Sequence, residues 1–131
     1  MSQTISLIGV VDDGSEYASE TPRFPGGEIS IPQGGDISFT ITLIYPNGMP
    51  VDVSAGSLNF SVGTSAGLPV IVKQGTRVSS ALGVFSVVVA SGETRALPVR
   101  RYIYSAWYTD GAGKRWQAIP LNILRLAPAI W

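Results

Sequence analysis

The chain has no cysteine and no histidine, and only 14% of its 131 residues are charged. Without cysteine there is no disulfide framework, no thiol nucleophile and no thiolate metal site, and the redox compartment leaves no mark on the sequence. Without histidine the commonest general base and the commonest transition-metal ligand are missing. Serines are plentiful, but none has a histidine to activate it or a lysine at helical spacing. Nothing in the acid spacing proposes a two-carboxylate hydrolase. The expectation is a protein that is not an enzyme and uses no cofactor or metal. Average soluble domains carry about 25% charge, so this surface is sparsely charged, and the net charge is zero. Such a surface favours association.

Long apolar runs are also missing. Residues 53–72 lack charge but contain Gly, Ser, Thr, Asn and Pro throughout, which argues against a membrane span. The start, MSQTISLIGVVDD, has no Lys or Arg before its short apolar stretch and makes a poor secretory signal. The reading is a protein made and used without Sec export. Helical periodicity is missing too. No window repeats apolar residues at three and four over three turns, so helix is confined to a turn near 92–97.

What is present is turn chemistry. Gly and Pro supply 15 and 9 residues, scattered as punctuation between runs rich in Ser, Thr and Val. Strands are expected at 4–10, 27–31, 36–45, 57–63, 69–73, 83–90, 100–109 and 114–126. The clearest, DISFTITLIY, alternates Ile37, Phe39, Ile41 and Leu43 with Ser38, Thr40 and Thr42. DGAG at 110–113 is a hairpin turn, since Asp and Gly tolerate positive φ. Pro120 marks an edge or a bulge in the last strand. About seven to eight antiparallel strands in the chain fit an all-β, Ig-like sandwich, its domain read as 36–131, with a small barrel as runner-up. Residues 1–35 read as a strand plus an extended arm.

Charge is unevenly placed along the chain. Residues 1–56 hold seven acids and one base, while 57–131 hold two acids and eight bases. Either the halves intermix and the asymmetry cancels, or complementary ends steer subunits together.

Residues 36–126 resemble the small Ig-like β-sandwich modules of tailed-bacteriophage virion proteins. The resemblance rests on IYPNGMPVDVSAG (44–56), where Gly48, Pro50, Asp52 and Ser54 match a turn between strands. It continues through LNFSV (58–62), GVFSVVV (83–89) and TRALPVRRYIYSAWYTDGAGK (94–114). Arg100 and Arg101 stand where the module has a small residue and glycine, and the first 35 residues have no counterpart in it. The resemblance implies a structural subunit of the virion in the tail, baseplate, neck or capsid surface. Its partners would be other virion proteins or copies of itself, with no nucleic acid, membrane or small-molecule substrate. A capsid decoration protein is the rival within that class, and a carbohydrate-binding adhesive module the rival outside it.

Strand 100–109 carries the strongest functional signal. Tyr102, Tyr104, Ala106 and Tyr108 point one way, and Ile103 and Trp107 the other, so both faces want cover. Tyr102 or Tyr104 can close a corner by bonding to backbone upstream. Trp107, Trp116 and Trp131 are read as interface aromatics, a stacking platform for sugar being the alternative. Tyr17 and Phe24, in the arm at 11–27, are expected to order on a neighbouring subunit. Arg100, Arg101, Lys114 and Arg115 are expected to cluster and to meet an acidic neighbour. Asp12, Asp13 and Glu16 around Gly14 fall short of a calcium loop and read as a solvated turn. GTSAG (63–67) lacks the Lys and Ser/Thr of a phosphate loop and is a turn.

Overall fold

A computed structural model describes residues 2–22, 25–64 and 67–128. Among them the chain is almost entirely β-structure in two sheets. One sheet contains β1 (Ser2–Val10), β3 (Asp36–Ile44), β7 (Val84–Val89) and β6 (Thr76–Ser79), in the order β1-β3-β7-β6. The other contains β2 (Ile29–Pro32), β9 (Arg115–Ala127), β8 (Arg101–Thr109), β4 (Ser57–Gly63) and β5 (Pro69–Gln74), in the order β2-β9-β8-β4-β5. A five-residue helix, α1 (Ser91–Arg95), follows β7, where only a helical turn is expected.

Alternation dictates what lies between the sheets. Ile37, Phe39, Ile41 and Leu43 of β3 are all buried, and Ser38, Thr40 and Thr42 are half-buried on the other face. Leu58, Phe60 and Val62 do the same from β4, and Phe85, Val87 and Val89 from β7. At the centre the Phe39 and Phe60 rings lie 4.9 Å apart, and Phe60 and Tyr104 5.8 Å apart. Each such side chain contributes about 1.5–3 kcal/mol through burial.

Nine strands are present among the described residues, and two pairings are parallel, where seven to eight antiparallel strands are expected. β1 runs parallel to β3, and β2 parallel to β9. The connection between β1 and β2 is long enough to cross from one sheet to the other, so these strands need not form a hairpin. The additional strand is β6. It follows β5 after a single residue, Gly75, whose N–H donates to Leu58 O at 2.8 Å while the chain passes between sheets. A Cβ at Gly75 would lie 3.2 Å from the Phe85 side chain. β6 escapes sequence reading because Thr76, Arg77 and Val78 are all exposed and show no alternation.

The described residues between β1 and β2 make backbone bonds to their own domain. Val11 N–H donates to Ile44 O, Ala18 N–H to Pro46 O, and Gly26 N–H to Ile8 O. Val11, Thr21 and Pro25 are buried. A connection this long carries many backbone groups that need partners, and it finds them on its own domain. Asp12 and Asp13 accept the N–H groups of Gly14 and Ser15 in tight turns. No group of three metal-ligating side chains occurs among the described residues. No helix there is long and apolar enough to cross a membrane.

Two side chains lock β8 to the rest. The Tyr102 hydroxyl donates to Pro98 O at 2.7 Å, closing the corner before the strand. The Tyr104 hydroxyl donates to Gly27 O and so ties the β1–β2 connection to the second sheet. Burial pushes the Tyr104 phenol up to about 12. The register between β8 and β9 shifts twice, between Tyr104 and Ala106 and again between Ala106 and Trp107. Pro120 falls in the first of these bulges, where a missing N–H costs no ladder bond.

Candidate protein interface

The outer face of the five-stranded sheet is built by residues that alternate with the core. Register places them in rows across β9, β8, β4 and β5. One row is Ile123, Ile103, Gly63 and Pro69. In the next, Ser105 and Ser61 pair, with Val72 beyond. A third is Gln117, Trp107, Asn59 and Gln74. The small residues Ser61, Gly63 and Ser105 form the floor of a shallow groove of about 210 Å³, walled by Ile103, Leu121 and Pro69.

Apolar side chains crowd this face. Leu121 is 63% exposed and Val72 62%, and Val70 and Leu68 at its margin are also exposed. Ile103, Ile123 and Trp107 are half-buried. A solvated antiparallel sheet face would be polar at these positions. Exposed apolar side chains thus surround a small-residue groove on this face.

Cations sit at the two ends. Arg101 pairs in register with Arg125 at one end, and the Arg115 guanidinium lies 4.6 Å over the Trp107 ring at the other. The four bases expected to cluster therefore do not. Arg100 and Arg101 precede or open β8, whereas Lys114 and Arg115 face its far end. Eight strand steps separate them, roughly 26 Å at strand rise. Antiparallel pairing brings the end of β8 to the start of β9, which leaves the start of β8 at the opposite pole.

Of the candidate interface residues, Ile103 and Trp107 share the outer face, four positions apart on β8. Trp116 lies opposite Tyr108 on the core-facing side and is half-buried against the core. Its Nε1–H donates to Asp110 Oδ2 at 3.4 Å, and Lys114 Nζ lies 4.3 Å over its ring. Asp110 also accepts the Ala112 and Lys114 N–H groups. The Lys114 N–H is the main reason its carboxyl is held below the usual range. Arg100 lies 5.7 Å over the Tyr102 ring. Tyr17 is half-buried in the β1–β2 connection. Phe24 and Trp131 lie outside the described residues.

Sequence reasoning does not reach Leu121, Val70 or Val72. A signal for the last two exists: PVIVK is apolar at four consecutive positions, which a strand with one wet face would not be. Leu121 is hidden by the bulge at Pro120, which breaks the alternation needed to assign its face. Between the sheets, a cavity of about 10 Å³ among Phe39, Leu97, Tyr102 and their neighbours has room for no more than one water molecule.

No family model and no curated protein matches the chain. Among solved structures, the N-terminal domain of phage TP901-1 ORF48 aligns with a TM-score of 0.58 at 9% identity, over 99% of this chain and 100% of that one. A cysteine protease inhibitor from Entamoeba histolytica aligns with a TM-score of 0.40 at 10% identity, over 94% and 97% of the two chains. The second likeness is too low to build on. The first is a likeness of fold along the whole length: this chain is an all-β domain similar in architecture to a domain of a phage protein.

Proposed function

We propose that this chain is a non-enzymatic structural subunit of a phage particle, placed in the tail or baseplate region, and that it binds a neighbouring virion protein through the outer face of its five-stranded sheet. The exposed apolar face around Ile103, Leu121 and Val72 carries the reading. An Ig-like description of the fold goes with it. The orders β3-β7-β6 and β9-β8-β4-β5 parallel the BED and GFCC′ sheets of an immunoglobulin sandwich, and the Tyr102 corner occupies the expected place. β1 departs from that pattern by running parallel to β3. The full-length likeness to a phage domain supports the setting. A sugar platform is less well served, because Arg115 and Lys114 lie over the Trp107 and Trp116 rings.

Immunogold electron microscopy of particles from the source lysate tests the setting. Label at the tail end supports this reading, label over the shell favours capsid decoration, and intact particles without label remove the virion reading. The surface is tested by Trp107→Arg. The monomer should stay folded and fail to enter particles, and normal incorporation would defeat the assignment of this face.

A further inference from the structure

Two sheets present four edges, and three of them are blunted. β2 has four residues and ends in Pro32. β5 begins with Pro69, carries Lys73, and meets β4 through a register shift at Gly63. β6 has four residues, carries Arg77, and is bulged against β7. Short length, proline, charge and bulging are the devices that keep sheet edges from pairing with other chains.

β1 has none of them. It runs for nine residues, SQTISLIGV, without charge or proline, and its register with β3 is unbroken from Ser2 to Val10. In a parallel ladder alternate residues turn both backbone groups toward the neighbouring strand. Val11 donates toward β3, at Ile44 O, so the odd residues face β3 and the even residues face outward. Ile8 agrees: its carbonyl accepts from Gly26 N–H, outside the sheet. That contact closes the upper end of the edge. Below it, Thr4 and Ser6 turn their N–H and C=O groups outward, and both side chains are exposed.

We propose that this edge, Ser2–Ser6, which is open among the described residues, pairs antiparallel with the same edge of a second copy, joining two four-stranded sheets into one of eight strands. The edge is self-complementary. A two-fold axis at Thr4 sets Thr4 opposite the partner's Thr4 and places Ser2 and Ser6 opposite the partner's Ser6 and Ser2. Outward-facing residues then meet outward-facing residues, and each such pair exchanges two backbone hydrogen bonds. No charge lies on the edge to repel its copy. Pairing also shields Ile5, a half-buried residue packed against the core. The closed two-fold leaves no free β1 edge, so association stops at a dimer. This contact lies in the sheet opposite the proposed partner-binding face, and neither depends on the other.

Sedimentation equilibrium of the full chain across a hundredfold concentration range tests the proposal, with wild type beside Thr4→Lys. Thr4 is exposed, and its lysine replacement puts two like charges at the axis while leaving the ladder to β3 intact. Wild type should dimerise reversibly, and Thr4→Lys should sediment as a monomer and unfold at the midpoint that wild type shows at concentrations where it is monomeric. Amide exchange supplies a second readout: Thr4 and Ser6 N–H groups should gain protection with wild-type concentration and none in the variant. A wild type that stays monomeric throughout the range overturns the pairing, and so does a dimer that survives Thr4→Lys. Trp107→Arg, which disturbs the other sheet, should leave the dimer untouched.

Discussion

Removing one hydroxyl at the domain's centre should change how stability responds to alkali. Tyr104 is 1% exposed, stacks near Phe60, and donates to Gly27 O. Its phenol is pushed from an ordinary 10.0 to about 12, by burial. The sign follows from linkage. The unfolded chain releases this proton from about pH 10, while the folded chain holds it until about pH 12. The stabilisation is therefore complete below pH 10 and is lost as pH rises through 12. Two pH units correspond to a ceiling of about 2.7 kcal/mol. Gly27 is only half-buried, so water screens the hydroxyl and about 1–2 kcal/mol is the expected size. At pH 8, Tyr104→Phe should cost about 1–2 kcal/mol, because the Gly27 carbonyl loses its donor. At pH 11.5 the gap between wild type and variant should shrink by about 1 kcal/mol or more. All other groups are common to both proteins and cancel in the difference. Urea unfolding followed by tryptophan fluorescence at the two pH values gives both differences. A gap of equal size at pH 8 and pH 11.5 would refute the reasoning, since it would mean that the native state does not hold the Tyr104 proton.

Three further perturbations address other levels of the structure. Gly83 has φ +68°, and an added Cβ would come within 2.6 Å of Leu43 O and 2.7 Å of Val51 O; Gly83→Ala should cost at least about 2 kcal/mol in chemical denaturation. Phe60→Ala removes the ring between Phe39 and Tyr104 and should cost about 3–5 kcal/mol, a loss of under 1 kcal/mol being incompatible with the packing. Tyr102→Phe should cost about 0.5–1.5 kcal/mol by loss of the bond to Pro98 O, with fast amide exchange spreading through 96–100 and not into β9.

How much of this was readable depends on which force set each element. β3, β4 and β7 are specified by period-two burial, and their inward residues are those the alternation names. The Tyr102 corner is readable for a similar reason, because the aromatic begins a strand just after a Pro-containing turn. β6 and the parallel placement of β1 are not readable. β6 is held by its place after the Gly75 corner and shows water three of its four side chains. For β1, alternation says which residues face the core, and it says nothing about which neighbour the strand adopts or in which direction. That choice is made by the connection at 11–28, through backbone bonds at Val11, Ala18 and Gly26 that leave no trace in side-chain pattern.

The charge asymmetry shows the same limit from the other side. Along the chain the acidic first half and basic second half look like separable poles, yet both halves contribute strands to both sheets or share a ladder. β1 and β3 share a sheet with β7, and β2 lies against β9. What survives folding is a difference along the strand axis. Asp12, Asp13, Glu16 and Glu20 follow the upper end of β1, and Arg95, Arg100 and Arg101 gather where β7 ends and β8 begins. Only two ion pairs form among the described residues, Lys73 with Glu93 at 2.8 Å and Arg125 with Glu28. Charge therefore lies mainly toward the ends of the strands, whereas the outer face of the second sheet carries exposed apolar side chains around a floor of Ser61, Gly63 and Ser105. A partner lying on that face would be bound by apolar contact and oriented by charge, so salt should slow its association more than it weakens the complex.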